Sequence, residues 1–376
     1  MGIYIFTLFL VFFLWIVMSK FKFSIMGAEK LENKNKVYVI CIGTWLFFVA
    51  ALRNYTVGAD VYNYLSRYVR FAASEWEEIF VLADNMMFEY GFAIINKLLS
   101  YVNSNPRFFL VLAAFVVVFS FSRQIYENSA KPWLSFFMFI TLGMFGESLS
   151  ALRQYIAIVL ILFSYNAIKK NKLMEFVILV LLAFTIHRSA FIVLPMFWIS
   201  KIEFRKIHIG IIMGAGAFVF VNVISPNSEL MNDIVAFLTR YTTYARFFIS
   251  SNYRSSGGSV GATLIYFSFL ILILAKLYNS DIESRNMYIA FAIASVALIL
   301  CTFITGICER ILPYFSAMFI FSVPDAIMKE SNFRIQIQYI SVICAVLLFY
   351  YFAIICRADV YQLIPYELWN KRINMF

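Results

Sequence analysis

Charge is scarce in this chain of 376 residues: Asp, Glu, Lys and Arg make up 14% of it, whereas hydrophobic residues make up 62%. A composition so poor in charge excludes a soluble globular protein. Histidine is also scarce, with two residues, and the cysteines lie in or beside apolar segments without metal-ligand spacing. No metal site and no cofactor are therefore expected, and the cysteines are interpreted as small core residues. The five cysteines are Cys41, Cys301, Cys308, Cys344 and Cys356.

Long apolar runs, with a mean hydropathy of +0.81, predict a polytopic all-α integral membrane protein. Residues 1–376 are expected to form one transmembrane domain of about twelve helices. The net charge of +10 does not indicate nucleic-acid binding, because the positive residues are scattered between the apolar runs. The predicted helices lie near 2–18, 37–52, 107–122, 133–147, 152–168, 173–186, 189–200, 208–224, 261–277, 287–305, 310–323 and 337–355.

Two details of this assignment concern particular runs. The first run has no basic residue before it and is followed by Lys20 and Lys22, which favours a retained helix over a cleavable signal peptide. The pair 173–186 and 189–200 forms either two spans or one broken, re-entrant element.

Lysines alternate with the predicted spans and orient the chain. Thirteen of them fall in the loops of one side, and the other side holds Lys97 and Lys371. The positive-inside rule places the lysine-rich side in the cytoplasm, so both termini are expected outside. The thirteen are Lys20, Lys22, Lys30, Lys34, Lys36, Lys131, Lys169, Lys170, Lys172, Lys201, Lys206, Lys276 and Lys329.

Arginines show the opposite distribution. Four fall on the cytoplasmic side and twelve on the outer side. A guanidinium matches phosphate and carboxylate groups bidentately, so the asymmetry predicts an anionic ligand at the outer face. Pairing with loop acids or lipid headgroups is the alternative for any single arginine. The outer twelve are Arg53, Arg67, Arg70, Arg107, Arg153, Arg188, Arg240, Arg246, Arg254, Arg310, Arg357 and Arg372.

The first outer loop, 53–106, is the largest polar insertion. It opens with Arg53 and Asp60, and apolar residues at helical spacing predict an amphipathic interfacial helix over 83–101 with Glu89 near its start. Outer-loop tyrosines are interpreted either as stacking surfaces for sugar rings or as interface aromatics.

The second outer loop, 225–260, carries Arg240 and Arg246 and ends in a Ser/Gly-rich run. That run suits either a mobile lid or a plain linker. The two loops together are predicted to cover an active site.

Ionisable residues from five segments are predicted to converge on the outer face. Each also has a structural interpretation: Asp60 pairs with Arg53 or caps a helix, Glu89 is a solvated acid, His187 is an interfacial residue and Arg153 is a snorkelling anchor. The five segments carry Arg53 with Asp60, Glu89, Arg153, His187 with Arg188, and Glu309 with Arg310.

An ordered set of short motifs over most of the chain resembles the EpsG-like branch of Wzy-type polysaccharide polymerases. Many members have Thr in place of Ala59 and an uncharged residue in place of Arg188, and neither change removes a catalytic candidate. The motifs are Arg53 with Val57-Gly58-Ala59-Asp60 and Tyr64, Glu89-Tyr90-Gly91-Phe92, Leu152-Arg153-Gln154, His187 with Ser189-Ala190 and Leu194-Pro195, Glu309-Arg310 with Tyr314-Phe315, and Ile364-Pro365-Tyr366.

This resemblance implies a glycosyltransferase of GT-C-like helical architecture with an extracytoplasmic cavity, in the bacterial plasma membrane. It implies that donor and acceptor are undecaprenyl-diphosphate-linked oligosaccharides, joined without nucleotide sugar. The growing chain is transferred from its carrier to the non-reducing end of the next unit. Membrane lipid and a chain-length regulator protein are the other expected partners.

The candidate residues match the two chemical requirements of that reaction, which are a binding site for the leaving group and a base for the acceptor. Preorganised arginines would stabilise charge that develops on the diphosphate leaving group without requiring a metal, and Arg153 is the first choice. The attacking hydroxyl needs a base, for which Asp60, Glu89 and His187 are unranked candidates. The other predicted substrate-binding residues are Arg53, Arg188, Arg240, Arg246, Glu309, Arg310 and Tyr64.

Two further functions remain open. Twelve spans would suit a flippase or transporter of lipid-linked sugars, although charges gathered at one face and the lack of an evident repeat argue against alternating access. A membrane O-acyltransferase would need a histidine on the acyl-donor path, a role for which His187 is the candidate.

Overall fold

The computed structural model describes residues 1–20, 29–204, 259–303, 306–357, 359 and 361–369, and its regular elements are helices. The predicted all-α class is therefore confirmed, and within those residues only a single bridge, between Arg53 and Leu368, has β geometry. The helices are α1 (Gly2–Lys20), α2 (Glu29–Ala51), α3 (Val61–Ala73), α4 (Ile79–Asn85), α5 (Tyr90–Val102), α6 (Pro106–Asn128), α7 (Pro132–Thr141), α8 (Met144–Ser150), α9 (Leu152–Lys169), α10 (Leu173–Ile186), α11 (Met196–Ile199), α12 (Val260–Leu277), α13 (Arg285–Cys301), α14 (Ile307–Ile311), α15 (Pro313–Ser316), α16 (Phe319–Met328) and α17 (Phe333–Tyr350).

Parts of the predicted organisation lie outside the described residues. These are the span 208–224, nearly all of the loop 225–260, and within it Arg240 and Arg246.

Five described helices are long and apolar enough to cross a bilayer, namely α1, α2, α6, α12 and α17. Two bent helix pairs raise the number to seven if each pair is one span. The chain is thus a multi-pass membrane protein with five to seven candidate spans by length and composition. The predicted total of about twelve and the GT-C-like architecture stay predictions.

The predicted spans 133–147 and 310–323 are bent rather than continuous. The axes of α7 and α8 differ by 55°, and the segments Ile307–Ser316 and Phe319–Met328 differ by 42°. Between α7 and α8 the chain passes through Gly143 at φ +83°, a left-handed conformation that ends a helix and that glycine adopts without a Cβ clash. Helix α8 is therefore redirected within the bundle.

The helix predicted over 83–101 is wrong, because the structure has two helices there. Helix α4 ends at Asn85, and α5 begins at Tyr90 after a break in which Met87 has φ +54°. The apolar pattern continues across the break because Phe88 is buried, so periodicity alone does not reveal it. Glu89 consequently lies immediately before α5.

Helices α9 and α10 form a central hairpin, joined by the short turn 170–172 and packed against each other. The predicted pair of apolar helices around a basic turn is confirmed. Two helices joined by so short a turn run antiparallel, so Arg153 in the first turn of α9 and His187 after α10 lie at the same end. We call this the arginine end, and the opposite end, which holds Lys169, the lysine end.

The C-terminal segment 361–369 ties down the start of the first loop. The N–H groups of Gly58 and Ala59 donate to the carbonyls of Gln362 and Tyr361, at 2.9 and 3.0 Å. Gly58 has φ +112°, and a Cβ there would lie 2.6 Å from the Leu149 carbonyl oxygen. Residues 53–60 are therefore clamped between α8 and the C-terminal segment.

Candidate active site

A carboxylate–guanidinium pair lies at the centre of the arginine end. Arg153 Nη1 donates to Glu89 Oε2 at 2.6 Å, with the two side chains 16% and 10% exposed. Arg153 also reaches the Met87 carbonyl at 3.4 Å. At such low exposure the charges are only weakly screened by water. Glu89 is therefore a paired, largely buried carboxylate rather than a solvated helix-face acid.

A second arginine engages the other oxygen of Glu89. The backbone N–H of Arg188 donates to Oε1 at 3.0 Å, and Arg188 Nε lies 3.8 Å from the same atom. The Arg188 side chain is 66% exposed, so most of its guanidinium faces outward. One carboxylate thus holds two arginines from distant parts of the chain, and one of them is open to an incoming anion.

His187 lies beside this pair in a hydrogen-bonded group. Its Nδ1 is 2.5 Å from Ser189 Oγ and 3.3 Å from the Tyr314 hydroxyl. Burial, together with Arg153, Arg310 and Arg188, lowers the pKa of His187 to about 3. The imidazole is therefore neutral at physiological pH, and a neutral ring whose Nδ1 accepts a hydrogen bond carries its proton on Nε2.

Arg67 is a site residue that the motif analysis did not single out. Its guanidinium lies 4.4 Å from the Phe88 ring centroid, and that of Arg153 lies over the same ring at 4.4 Å. Burial and the positive charge of Arg153 lower the pKa of Arg67. The spacing of Asp60, Tyr64 and Arg67, four and then three residues, would have placed all three on one side of a helix start.

Asp60 and Tyr64, at the start of α3, differ in accessibility. Asp60 is exposed just before α3, close enough to Arg67 to interact with its charge. Tyr64 is buried, with its ring 6.0 Å from Phe88 and 6.1 Å from Phe92 between centroids. Burial raises the pKa of the Tyr64 phenol. Because its ring is packed within the protein, Tyr64 offers no face for a sugar to stack on.

Arg53 is fully buried and binds backbone carbonyls. Its Nε donates to Val57 at 3.3 Å and its Nη2 to Leu149 at 2.9 Å, while Nη1 makes a short contact with Ala50. Burial lowers the pKa of Arg53 to about 10, which leaves it charged at neutral pH. No ion pair between Arg53 and Asp60 occurs among the described residues. Arg53 therefore links α2, the loop and α8.

Glu309 and Arg310 belong to the short helix α14, where both side chains are exposed. The Arg310 carbonyl accepts a hydrogen bond from Gln154 Nε2 at 2.9 Å, which attaches α14 to the first turn of α9. The Arg310 charge also acts on His187. The structure thus brings the predicted segments around Glu89, Arg153, His187 and Arg310 together at one end.

Two cavities lie away from this cluster. One, of about 750 Å³, is lined by Arg123, Glu127 and Lys170, and the other, of about 180 Å³, by Glu203 and Arg285. No group of three His, Cys, Asp or Glu side chains suited to a metal ion occurs in the ranges described. The predicted outer cavity involves the loop 225–260 and stays a prediction.

Comparison with known families gives one match. Residues 36–368 match the EpsG family, a range that includes every motif of the arginine end. No curated protein and no solved structure matches the chain.

Proposed function

The chain belongs to the EpsG family, and from this we propose that it is a polysaccharide polymerase. It acts as a membrane glycosyltransferase that joins undecaprenyl-diphosphate-linked oligosaccharide units at the outer face of the bacterial plasma membrane. The observation that carries the proposal is the single carboxylate, Glu89, that holds Arg153 and Arg188 at the end of the bundle opposite Lys169.

The diphosphate leaving group is bound by the arginines. When the glycosidic bond breaks, negative charge grows on the diphosphate oxygens, and guanidinium groups held in advance stabilise that charge without reorganisation. Arg153, Arg188 and Arg310 take this role, supported by Arg67 on the shared Phe88 ring. Glu89 orients the Arg153 guanidinium through Oε2, and through Oε1 it accepts the Arg188 backbone N–H and lies 3.8 Å from Arg188 Nε.

The three predicted bases differ in how much of their hydrogen-bonding capacity is already used. Glu89 accepts from two arginines, so we assign it to positioning. His187 Nδ1 is engaged by Ser189 and Tyr314, so the ring is better placed to donate from Nε2. Asp60 is exposed and solvated. None of the three is a buried, unpaired proton acceptor.

Other predicted binding residues take supporting roles in the proposal. Arg53 and Tyr64 are buried and hold the scaffold. Arg240 and Arg246 would add positive charge from the second loop, and Glu309 would contact sugar hydroxyl groups beside Arg310. The lysine end faces the cytoplasm, both termini face outward, and a chain-length regulator protein is a further partner.

The proposal is tested with purified protein in nanodiscs and a lipid-diphosphate oligosaccharide, without nucleotide sugar or added metal. Lengthened chains on a gel are expected from the wild type and not from Arg153→Ala. A matched control is Arg123→Ala, which removes an exposed arginine that pairs with Glu127.

Other products would assign a different function. Substrate that crosses the bilayer unlengthened would support a flippase, and acylated substrate would support an O-acyltransferase. No lengthening of an authentic repeat unit by folded wild-type protein would refute the polymerase.

A further inference from the structure

Glu147 is a carboxylate of the bundle interior to which no role has been given so far. It lies in α8, directly after the 55° bend, between the buried residues Gly146 and Ser148. Its own side chain keeps partial accessibility. The Glu147 carboxylate is therefore less tightly enclosed than the residues on either side of it.

Its hydrogen bonding differs from that of Glu89. The Tyr155 hydroxyl donates to Glu147 Oε2 at 3.1 Å. No Lys or Arg of the described chain forms an ion pair with Glu147, whereas Glu89 binds Arg153 and Arg188. The carboxylate is thus held in place while its basicity is not reduced by a paired cation.

Tyrosines from several helices surround Glu147, and two of them, Tyr350 and Tyr361, are partly exposed. The Tyr361 ring lies 3.3 Å from the position that a Cβ on Gly146 would occupy, which places the C-terminal segment against α8. Tyr266, Tyr314 and Tyr350 are close enough for their hydroxyl groups to interact with Glu147. Aromatic rings beside hydroxyl and carboxylate groups suit a sugar, which has both apolar C–H faces and hydroxyl groups.

Tyr314 connects Glu147 to the arginine cluster. Tyr314 interacts electrostatically with Glu147 on one side and with Glu89 and Arg153 on the other. Its hydroxyl lies 3.3 Å from His187 Nδ1. A donor diphosphate at the arginines and an acceptor sugar beside Glu147 would therefore be neighbours.

We propose that Glu147 is the general base for the acceptor hydroxyl, and that the partly exposed rings of Tyr350 and Tyr361 beside it bind the acceptor sugar. This inference rests on the polymerase function proposed above. The hydroxyl oxygen forms a bond to the anomeric carbon of the donor as its proton passes to the Glu147 carboxylate. The bond from that carbon to the diphosphate breaks, and the lipid diphosphate leaves with the electron pair. Glu147 then returns its proton to water.

The first test replaces the carboxylate without changing its size. Glu147→Gln is expected to slow chain lengthening by about 100-fold or more, as loss of a general base does. Binding of the radiolabelled donor to nanodiscs should change less than about threefold, because no arginine is altered. The control Glu175→Gln removes an exposed carboxylate of the lysine end and should retain wild-type rates.

Formate provides a readout that a purely structural role would not give. In Glu147→Ala, added formate can occupy the vacated space and accept the proton, so lengthening should recover in proportion to formate concentration. No recovery is expected in Arg153→Ala, which lacks a cation rather than a base.

A labelling experiment needs no variant. Dicyclohexylcarbodiimide, which is apolar, should modify Glu147 in wild-type protein, and an acceptor oligosaccharide should reduce that modification at least threefold while labelling of Glu175 stays constant. Unchanged labelling, or a Glu147→Gln protein that lengthens chains at more than about a tenth of the wild-type rate, would overturn the assignment. A wild type that lengthens nothing would instead refute the polymerase itself.

Discussion

At the scale of single residues, charge compensation distinguishes the groups of the arginine end. Glu89 is engaged by two guanidinium groups, Arg53 by three backbone carbonyls, and Glu147 by one phenol. Residues of the same type therefore have different partners: Arg53 binds backbone carbonyls of the scaffold, while Arg153 pairs with the Glu89 carboxylate. Hydrogen-bond partners decide this, and residue type does not.

Arg153 allows a direct test of bidentate recognition. We expect Arg153→Ala to slow polymerisation by about 100-fold or more, since a preorganised cation is lost at the leaving group. Arg153→Lys should recover only part of the rate, because an ammonium is a point charge without the planar fork. Rates of lengthening in nanodiscs provide the measurement. Equal losses in Arg153→Ala and the lysine-end variant Arg123→Ala would contradict the assignment.

His187 predicts an unusual pH dependence. Its pKa of about 3 in the folded protein lies below the ordinary value of 6.5, so its contribution to stability is complete above pH 6.5 and declines as the pH falls towards 3. Between pH 5 and 8 the imidazole stays neutral. The polymerisation rate of the wild type should therefore show no inflection near pH 6.5 that is due to His187. The rate profiles of the wild type and His187→Gln should have the same shape in this range.

The stability of the same pair of proteins provides a second check. As the pH falls from 6.5 to 4, the wild type should lose thermal stability faster than His187→Gln, which has no proton to take up on unfolding. Parallel melting curves for the two proteins across this range would show that His187 titrates normally.

At the scale of elements, breaks in helices position the site as much as helices do. The break before α5 places the Glu89 carboxylate against Arg153, and the bend before α8 leaves Glu147 partly accessible beside the Tyr155 hydroxyl. The C-terminal segment 361–369 then fixes the first loop through Gly58. Each of these features joins segments that are far apart in the chain.

Gly58 is the residue of the first loop at which a substitution should most disturb its packing between α8 and the C-terminal segment. Gly58→Ala should destabilise the protein by roughly 1–3 kcal/mol, because a Cβ would clash with the Leu149 carbonyl at 2.6 Å and φ is +112°. The control is Gly261→Ala, where a Cβ meets nothing nearer than 3.8 Å. Within a helix that change should be neutral or stabilising. Thermal unfolding in detergent measures both, and similar melting temperatures for the two variants would contradict the clamp.

At the scale of the whole molecule, lysine and arginine side chains mark opposite ends of the bundle. Lys169 donates to Asn128 at the lysine end, while Arg153 and Arg188 share Glu89 at the other. Lys97, a lysine of the first loop, is buried and donates to the Ser74 carbonyl at 2.6 Å, so it does not add a surface charge there.

This separation predicts the orientation in the membrane. In intact cells, a membrane-impermeant maleimide should label Ser104→Cys in the first loop, and should label Lys170→Cys in the basic turn only after permeabilisation. The wild type, with its own five cysteines, provides the background. The reverse pattern would place the arginine end in the cytoplasm and remove the basis for an extracytoplasmic polymerase.

Local and compositional properties were readable from the sequence. Apolar runs indicated a helical membrane protein, a basic turn between two runs indicated the α9–α10 hairpin, and this put Arg153 and His187 at one end. The ordered motifs indicated the family. These inferences succeed because hydrophobicity, turn chemistry and loop charge act over a few residues at a time.

Which partners each ionisable side chain contacts was decided by the tertiary structure. The break at Met87, the burial of Arg53 and the tyrosines around Glu147 arise from contacts between residues far apart in sequence and from backbone conformations that apolar periodicity does not encode. Whether a carboxylate positions arginines or accepts a proton depends on how many cations lie within a few ångströms, because the energy of an ion pair falls with distance and rises with burial. Only the packing of the helices sets those distances.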